Sequence, residues 1–406
     1  MNSKDPIGII ELGNLNIRCV IFGINNNNVE ILSTSITPSE GIHNDVVVNL
    51  TKASKAIRSC ISKAEEKAKI LLKKINVVFE QPDFLCTKFS KNKKINGSII
   101  QKGDIEFLLK EAKKQLVLND NKQSIIHIFN YNYIVDGKTF VEEPIGVYAD
   151  SLTHEITFIS TPKNNLKNIN QVFIDCDIEI ARLISRTFAL GVKLLSHKEL
   201  EFGSAILDLG FEKISFGLFK SLALVHSITF PIGINHITKD ISKVCSLNLD
   251  ESENIRNNID FSYQNSQKLF DENNYLKSIY FINSSFRKIS KNLILSVVKA
   301  RLDEIFDTLK KQLIVPGFNL TSKINLLLAG GGSNLFNIEK YFINFFGPNV
   351  KRVNENSTKD VEKNFVSCLG ALKIIKDGWE TEAIPELINE NSQKINFFAK
   401  IFGNRQ

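Results

Sequence analysis

Apolar residues in this chain come in short blocks. Three blocks far apart each break off at glycine: Ile7-Gly-Ile-Ile-Glu-Leu-Gly13, Ala205-Ile-Leu-Asp-Leu-Gly210 and Leu326-Leu-Leu-Ala-Gly-Gly-Gly-Ser-Asn334. Short apolar runs bounded by turn residues read as buried strands. Around the first block, Ile7–Leu12, Ile17–Phe22 and Val29–Ser35 form a predicted β-meander, broken by Gly13 and the Asn25–Asn28 turn. Helical spacing then puts Ala53, Ala56, Ile57, Cys60, Ile61, Ala64, Ala68 and Leu71 on one side, predicting a helix over Thr51–Lys74. Ile75–Phe79 returns as a strand. The second block opens the same series with strands Ala205–Asp208, Ile214–Phe219 and Leu222–Thr229 and a helix start over Gly233–Cys245. A β-β-β-α pattern that recurs after about 200 residues is the mark of an internal duplication.

Residues 83–161 interrupt the first series. A helix over Lys102–Val117 and strands at Ser124–Phe129, Tyr131–Val135 and His154–Ser160 make a small α/β insertion. Asn164–Cys176 rejoins the first lobe, and a helix is expected near Ile180–Leu194. Residues 250–325 read as mostly helical and charged, with a long helix over Phe286–Leu313. Strand Ile324–Ala329 and helices Asn337–Phe346 and Val366–Ile375 follow. The expected fold is therefore α/β, with two duplicated lobes and an inserted subdomain. Residues 1–82, continued in 162–195 and 367–379, form the first lobe, 83–161 the insertion and 196–366 the second lobe. Residues 380–393, with Glu380, Glu382, Glu386 and Glu390, read as an acidic linker, and 394–406 as a separate tail.

A length of 406 residues exceeds what one core supports, which agrees with at least two domains. The 43% hydrophobic and 23% charged content is that of a folded chain. The net charge of +7 is spread along the sequence, with no basic block interleaved with aromatics, so nucleic acid is not an expected partner. The six cysteines are scattered and form no C-x-x-C pair, which predicts small core residues in a reducing cytoplasm and no metal cluster. Met1-Asn-Ser-Lys-Asp-Pro6 carries no apolar leader, and no apolar stretch approaches the roughly 20 residues that span a bilayer. Membrane contact is expected to be peripheral.

The tail supplies such a contact. At about 100° per residue, Ile395, Phe397, Phe398, Ile401 and Phe402 share one helix face, while Asn396 and Lys400 lie opposite. Lys394 and Arg405, nearer the apolar side, stand at the ends and can snorkel to headgroups. A helix this short lies in the interface rather than crossing it. The alternative is a terminal helix packed on its own protein.

The glycine-ended strands carry the candidate chemistry. Backbone N–H groups at such turns can approach an anion closely. The first two, with an acid before the glycine, resemble the paired phosphate loops of the actin/Hsp70/sugar-kinase superfamily, and the third resembles its adenosine loop. The resemblance implies ATP with Mg. Its ligand set would be Glu11, Gly13, Asn14 and Asn16 on the first hairpin, Asp208 and Gly210 on the second, and Gly330, Gly331, Gly332 and Ser333 on the adenosine side. Gly233, Glu253 and Arg256 would face the ribose and base. Glu11 and Asp208 would hold the cation through water; the alternative for each is a strand-end acid facing solvent. Several positions depart from the pattern. Glu11 replaces Asp, Asn14 a hydroxyl residue and Asn16 a common lysine. Phe211 and Glu212 stand where bare backbone meets phosphate, and Arg186 stands where many members have an acid. No residue is an obvious base for an attacking water. The expectation is weakened nucleotide binding without hydrolysis.

Further blocks resemble the bacterial cell-division actin homologue FtsA more than actin or Hsp70. They are Gly41-Ile-His-Asn-Asp-Val-Val-Val-Asn49, Tyr133-Ile-Val-Asp-Gly137 with Glu143-Pro-Ile-Gly146, Pro231-Ile-Gly through His236-Ile-Thr-Lys-Asp240, and Lys299-Ala-Arg-Leu-Asp-Glu-Ile305. They run in order over about residues 7–376. The resemblance implies an actin-like fold of the ribonuclease-H-like duplicated kind. It also implies self-association into filaments and binding of the C-terminal peptide of the tubulin homologue FtsZ through Arg287 and Arg301. The tail, through Ile395, Phe397, Phe398, Lys400, Ile401, Phe402 and Arg405, would tether the assembly to anionic lipid. The implied location is the cytoplasmic face of the inner membrane at the division site, where later division proteins are recruited. Other readings are an actin-fold ATPase or phosphotransferase and the pilus-assembly actin homologue.

Overall fold

The computed structural model describes residues 4–25, 28–140, 142–262, 268–280, 288–312, 324–353 and 360–377. The acidic linker and the tail lie outside the described residues. The chain divides into two compact units, one of residues 1–203, 217–229 and 355–406, the other of residues 204–216 and 230–354.

In the first unit β1 (Lys4–Glu11), β2 (Asn16–Asn25) and β3 (Asn28–Pro38) form the antiparallel meander, with Ile10 opposite Cys19 and Glu11 opposite Arg18. A two-strand hairpin, β4 (Ile42–His43) and β5 (Val46–Val47), leads to α1 (Leu50–Ala68). The Asn49 side chain accepts from the Lys52 N–H and caps α1, whose stripe Ala53, Ala56, Ile57, Cys60, Ile61 and Ala64 is buried. This helix stops at Lys69 instead of reaching Lys74. Lys69 turns left-handed (φ 56°), and the Ile70 N–H closes on the Glu65 carbonyl. Leu71, expected on the buried face, is therefore exposed. β6 (Lys74–Phe79) runs parallel to β1.

The insertion is a sheet of its own. β7 (Leu85–Ile99), α2 (Lys102–Asn119), β8 (Gln123–Val135), β9 (Lys138–Phe140) and β10 (Tyr148–Pro162) give the strand order β7-β10-β8-β9. Ile105 and Leu108 of α2 pack with Ile95, Tyr133 and Leu152, and Leu109, Ala112 and Leu116 pack with Phe89, Ile156 and Phe158. The strands expected at Ser124–Phe129 and Tyr131–Val135 are one strand, β8, with a register shift opposite Glu155 and Ile156. β10 starts at Tyr148 rather than His154, because it pairs with β7 from Tyr148 onward and with β8 from Leu152 onward. Asp136 and Gly137 (φ 46° and 81°) make the tight turn into β9.

α3 (Lys163–Ile174) leads to β11 (Glu179–Ser185), then α4 (Arg186–Leu194) and α5 (His197–Phe202). The helix expected near Ile180–Leu194 is thus half strand. Its first half pairs in parallel with β6, and the Ser185 hydroxyl caps α4 by accepting from the Phe188 N–H. The sheet order is β11-β6-β1-β2-β3.

His127 of β8 is fully buried and its Nε2 accepts from the Ser185 N–H at 2.8 Å. Burial pushes its pKa down to about 3. A neutral buried histidine contributes stability that is complete above the unfolded value of about 6.5 and is lost as pH falls towards the folded value. Unfolding free energy from urea melts should accordingly drop between pH 7 and pH 5, on the order of 2 kcal/mol from this group. His127→Gln should flatten that dependence.

The second unit opens on β12 (Ser204–Leu209). Along the chain follow β13 (Ile214–Lys220) and β14 (Ala223–Phe230), of which residues 217–229 count with the first unit, and then α6 (Asn235–Cys245), α7 (Leu249–Asn258), α8 (Lys291–Gln312), β15 (Asn325–Ala329), α9 (Ile338–Phe346) and β16 (Val350–Arg352). β15 runs parallel to both β12 and β16, with Asp208 opposite Ala329 and Leu327 opposite Lys351. The order β12-β13-β14-α6 repeats β1-β2-β3-α1, and the parallel trio β12-β15-β16 repeats β1-β6-β11. The duplication is therefore topological. α10 (Asp360–Lys363) and α11 (Val366–Asp377) return to the first unit, where α11 packs on α4 and β1.

Candidate functional site

The first two glycine-ended strands each present an acid at the strand's end, and Glu11, the first of these acids, is engaged within its own unit. Glu11 closes β1 at 2% exposure. The β1–β2 register sets Arg18 opposite it, and Arg18 Nη1 donates to Glu11 Oε1 at 2.9 Å. Arg186, the first residue of α4, brings Nη1 to 3.4 Å from the same oxygen. Ser367 of α11 donates its hydroxyl to Oε2. Burying a carboxylate costs several kcal/mol unless cations and donors compensate it, and here three side chains do so. Gly13 serves the hairpin's own backbone, since a Cβ there would sit 2.7 Å from the Asn16 carbonyl oxygen. Asn14 accepts from the Asp45 N–H at 3.0 Å and donates to Asn44 at 3.2 Å, so its amide ties down the β4–β5 turn. Asn16 begins β2, opposite Pro38 of β3.

This environment bears on the cation that the family resemblance implies. At an effective dielectric of about 20, a divalent ion about 5 Å from a guanidinium is repelled by roughly 7 kcal/mol. Two guanidiniums stand at Glu11. The surroundings of this acid do not fit a divalent cation, and among the described residues no group of three or more His, Cys, Asp or Glu side chains is placed to hold one.

In the second unit Asp208 is buried at the end of β12. Its Oδ1 lies 2.1 Å from where a Cβ on Gly330 would stand, and Gly330 has φ +80°. Only glycine satisfies both demands. Gly233 and Gly332 are likewise required by close approach, to the Phe211 carbonyl and to Ile234 and Leu209. Gly331 differs: nothing lies within 4 Å of its missing Cβ. Among these loop glycines it is the one that leaves backbone open to a ligand. Ser333 closes its own turn by donating to the Gly330 carbonyl at 2.7 Å, and the Gly210 N–H closes the second hairpin on the Lys213 carbonyl at 3.0 Å.

Glu212, whose charge is unfavourable beside a polyanion, is compensated locally. Its carboxylate accepts from Asn235 Nδ2 at 2.7 Å and from Lys239 Nζ at 3.0 and 3.1 Å, in the first turns of α6. Burial works to raise its pKa, but these donors outweigh burial and hold it below the ordinary carboxylate value. Arg256 is buried and turned onto its own neighbourhood, donating to Thr238 Oγ1 at 2.7 Å and Glu253 Oε1 at 2.8 Å. Glu253 and Arg256 are thus partners of each other.

Arg301 of α8 holds Asp240 of α6 in a two-point contact, with Nη2 to Oδ1 at 2.9 Å, and reaches Glu304 at 2.6 Å. An acidic ligand would have to compete with both carboxylates. Arg287 and the tail positions Ile395, Phe397, Phe398, Lys400, Ile401, Phe402 and Arg405 lie outside the described residues. Sequence reasoning missed Arg18, Ser367, Asp240 and Lys239. Of these only Arg18 was signalled, by the short hairpin that sets it opposite Glu11. It also missed a cavity of about 590 Å³ beside α8 and α9, lined by Lys299, Asp303, Lys340 and Tyr341, where the Tyr341 hydroxyl donates to Asp303 at 2.7 Å.

Two family models match the chain: an SHS2 domain inserted in FtsA over residues 85–160, and cell division protein FtsA over residues 205–370. Cell division protein FtsA of Agrobacterium fabrum is 21% identical over 360 residues, covering 85% of this chain and 80% of that protein. FtsA of Bacillus subtilis is 22% identical, covering 77% and 70%. Among solved structures, the PilM-PilN type IV pilus biogenesis complex superposes with a TM-score of 0.63 at 12% identity, covering 90% of this chain and 98% of that one. MreB5 of Spiroplasma citri bound to ADP gives 0.50 at 13%, covering 92% and 97%. The structural likenesses speak to the fold alone, which is the actin-like two-lobed fold with an inserted subdomain. With the duplicated topology, the matched insertion and the matched second half in hand, the chain belongs to the FtsA family of cell-division proteins.

Proposed function

We propose that this division protein is a membrane adaptor: it tethers FtsZ to the cytoplasmic face of the inner membrane, self-associates into filaments and recruits later division proteins. The observation that carries the reading is family membership joined to an amphipathic tail pattern at the end of an acidic segment. Burying three Phe and two Ile at roughly 1.5–3 kcal/mol each offsets the ordering of a short helix. Lys394, Lys400 and Arg405 add on the order of 1 kcal/mol each toward anionic lipid. One copy binds weakly, and a filament binds by avidity. Among the described residues no helix is long and apolar enough to cross a membrane.

Nucleotide, in this reading, is held weakly and not hydrolysed. Gly331 supports an open adenosine-side backbone. Phe211 on the second hairpin, Arg186 at the head of α4 and the lack of an obvious base all weigh against the ATPase alternative. FtsZ's acidic peptide is assigned to the Arg287 and Arg301 region, where Arg301 would exchange Glu304 for the ligand. The test is co-sedimentation with vesicles containing anionic lipid. Removing residues 394–406 should abolish binding, and unchanged co-sedimentation of the truncated chain would refute the anchor.

A further inference from the structure

The insertion joins the first lobe through two connections, and one buried glutamine holds both. Gln81 follows β6 on the way in. Its Oε1 accepts from Thr161 Oγ1 of β10 at 3.0 Å and from Asn165 Nδ2 of α3 at 3.2 Å, both on the way out. Its Nε2 donates to the Asp45 carbonyl at 2.7 Å, and the Glu80 N–H donates to Asp45 Oδ2 at 3.0 Å. Asp45, Glu80, Gln81 and Thr161 are fully buried, so water does not replace a bond lost there.

Asp45 is itself held from the first glycine hairpin. With Asn44 it forms the β4–β5 turn, and both have left-handed backbone (φ 55° and 50°), which is costly for a residue that carries a Cβ. One amide ties this turn to the hairpin. Asn14 Oδ1 accepts from the Asp45 N–H at 3.0 Å, and Asn14 Nδ2 donates to Asn44 Oδ1 at 3.2 Å. Asn14 is half-buried and follows Gly13, at the turn that would receive a phosphate. Hydrogen bonds thus run from the hairpin through the turn to both connections of the insertion, all within the first unit.

We propose that a polyphosphate at the first hairpin loosens the root of the insertion: it draws the Asn14 amide off the β4–β5 turn, and the turn then releases Asp45 from Glu80 and Gln81. This coupling rests on the nucleotide-binding reading above, and it makes Asp45 and Gln81 positioning residues. Two forces act in the same direction. A phosphate oxygen is charged and accepts from an amide more strongly than the neutral Asn44 oxygen does. A polyanion at the hairpin also repels the Asp45 carboxylate. Linkage makes the effect reciprocal, so a chain whose root is already free binds the polyphosphate more tightly.

The experiment is hydrogen–deuterium exchange of the full chain with and without ATP, read by mass spectrometry on peptides covering Asp45 and Glu80. A fluorescent ATP analogue titrated in parallel reports binding. Saturating ATP should speed exchange at both amides by about fivefold or more. Asn14→Ala should show the faster exchange without ATP and no further change with it. Gln81→Leu should bind the analogue about fivefold more tightly than the wild type does. Saturable binding that leaves both amides unchanged overturns the proposal and leaves the nucleotide reading standing. Wild-type exchange in Asn14→Ala overturns it as well, and so does wild-type affinity in Gln81→Leu. No saturable binding removes the nucleotide reading and the coupling together. Should a variant not fold, the wild-type comparison with and without ATP still decides.

Discussion

Glu11→Ala should lower the unfolding free energy of the chain by about 3–5 kcal/mol, the range for removing one partner of a buried ion pair. The substitution deletes the acceptor that three side chains share, two of them far along the chain, and leaves two guanidiniums without it. Those cations repel and have lost part of their solvent shell. The Ser367 hydroxyl, buried at the head of α11, loses its acceptor at the same time. Glu11→Gln should cost less, because its carbonyl oxygen still accepts from a donor while the charge is gone. Combining Glu11→Leu with Arg186→Met should recover part of the loss, since apolar replacement of a buried ionic group is often close to neutral. Urea unfolding followed by circular dichroism reads each step. A loss below about 1 kcal/mol for Glu11→Ala would mean that the arginines are compensated elsewhere once the carboxylate is gone.

Gly370→Val should be nearly as damaging, by about 3 kcal/mol or more, for a steric reason. A Cβ at Gly370 would stand 1.9 Å from the Ala189 carbonyl oxygen and 2.6 Å from its carbon. Both obstacles are backbone of α4 and cannot swing aside as a side-chain tip can. The helices must separate, which loosens the buried Cys368, Ala371, Leu372 and Ile374. Ser367 rides on the same helix, so separation also withdraws the hydroxyl from Glu11. Gly370→Val and Glu11→Ala should therefore combine sub-additively in a double-mutant cycle. Simple addition would show that α11 does not couple the helix contact to the hairpin.

The meander at Ile7–Ser35 and the stripe of α1 were legible because alternation and helical spacing are local properties, readable within a few residues of each position. The duplicated order was legible for the same reason, as a local pattern met twice. The strand errors share one cause. Glu179–Ser185 is strand rather than helix because β6 lies beside it, and β8 and β10 extend as far as their neighbours pair with them. Neighbours in a sheet are not written in the strand that meets them.

The same division runs through the candidate site. Sequence alone determined the family, the glycine-ended strands, the acids at their ends and the amphipathic tail pattern, since each is residue type at fixed spacing. Only the tertiary structure decided what the charges do. Ser367 lies 356 positions from Glu11, and Asp240 lies 61 from Arg301. Glu212 is answered by Lys239 on the next helix, not by its neighbour Lys213. Electrostatic partners are chosen by distance in space, and packing brings together side chains whose separation along the chain carries no signal.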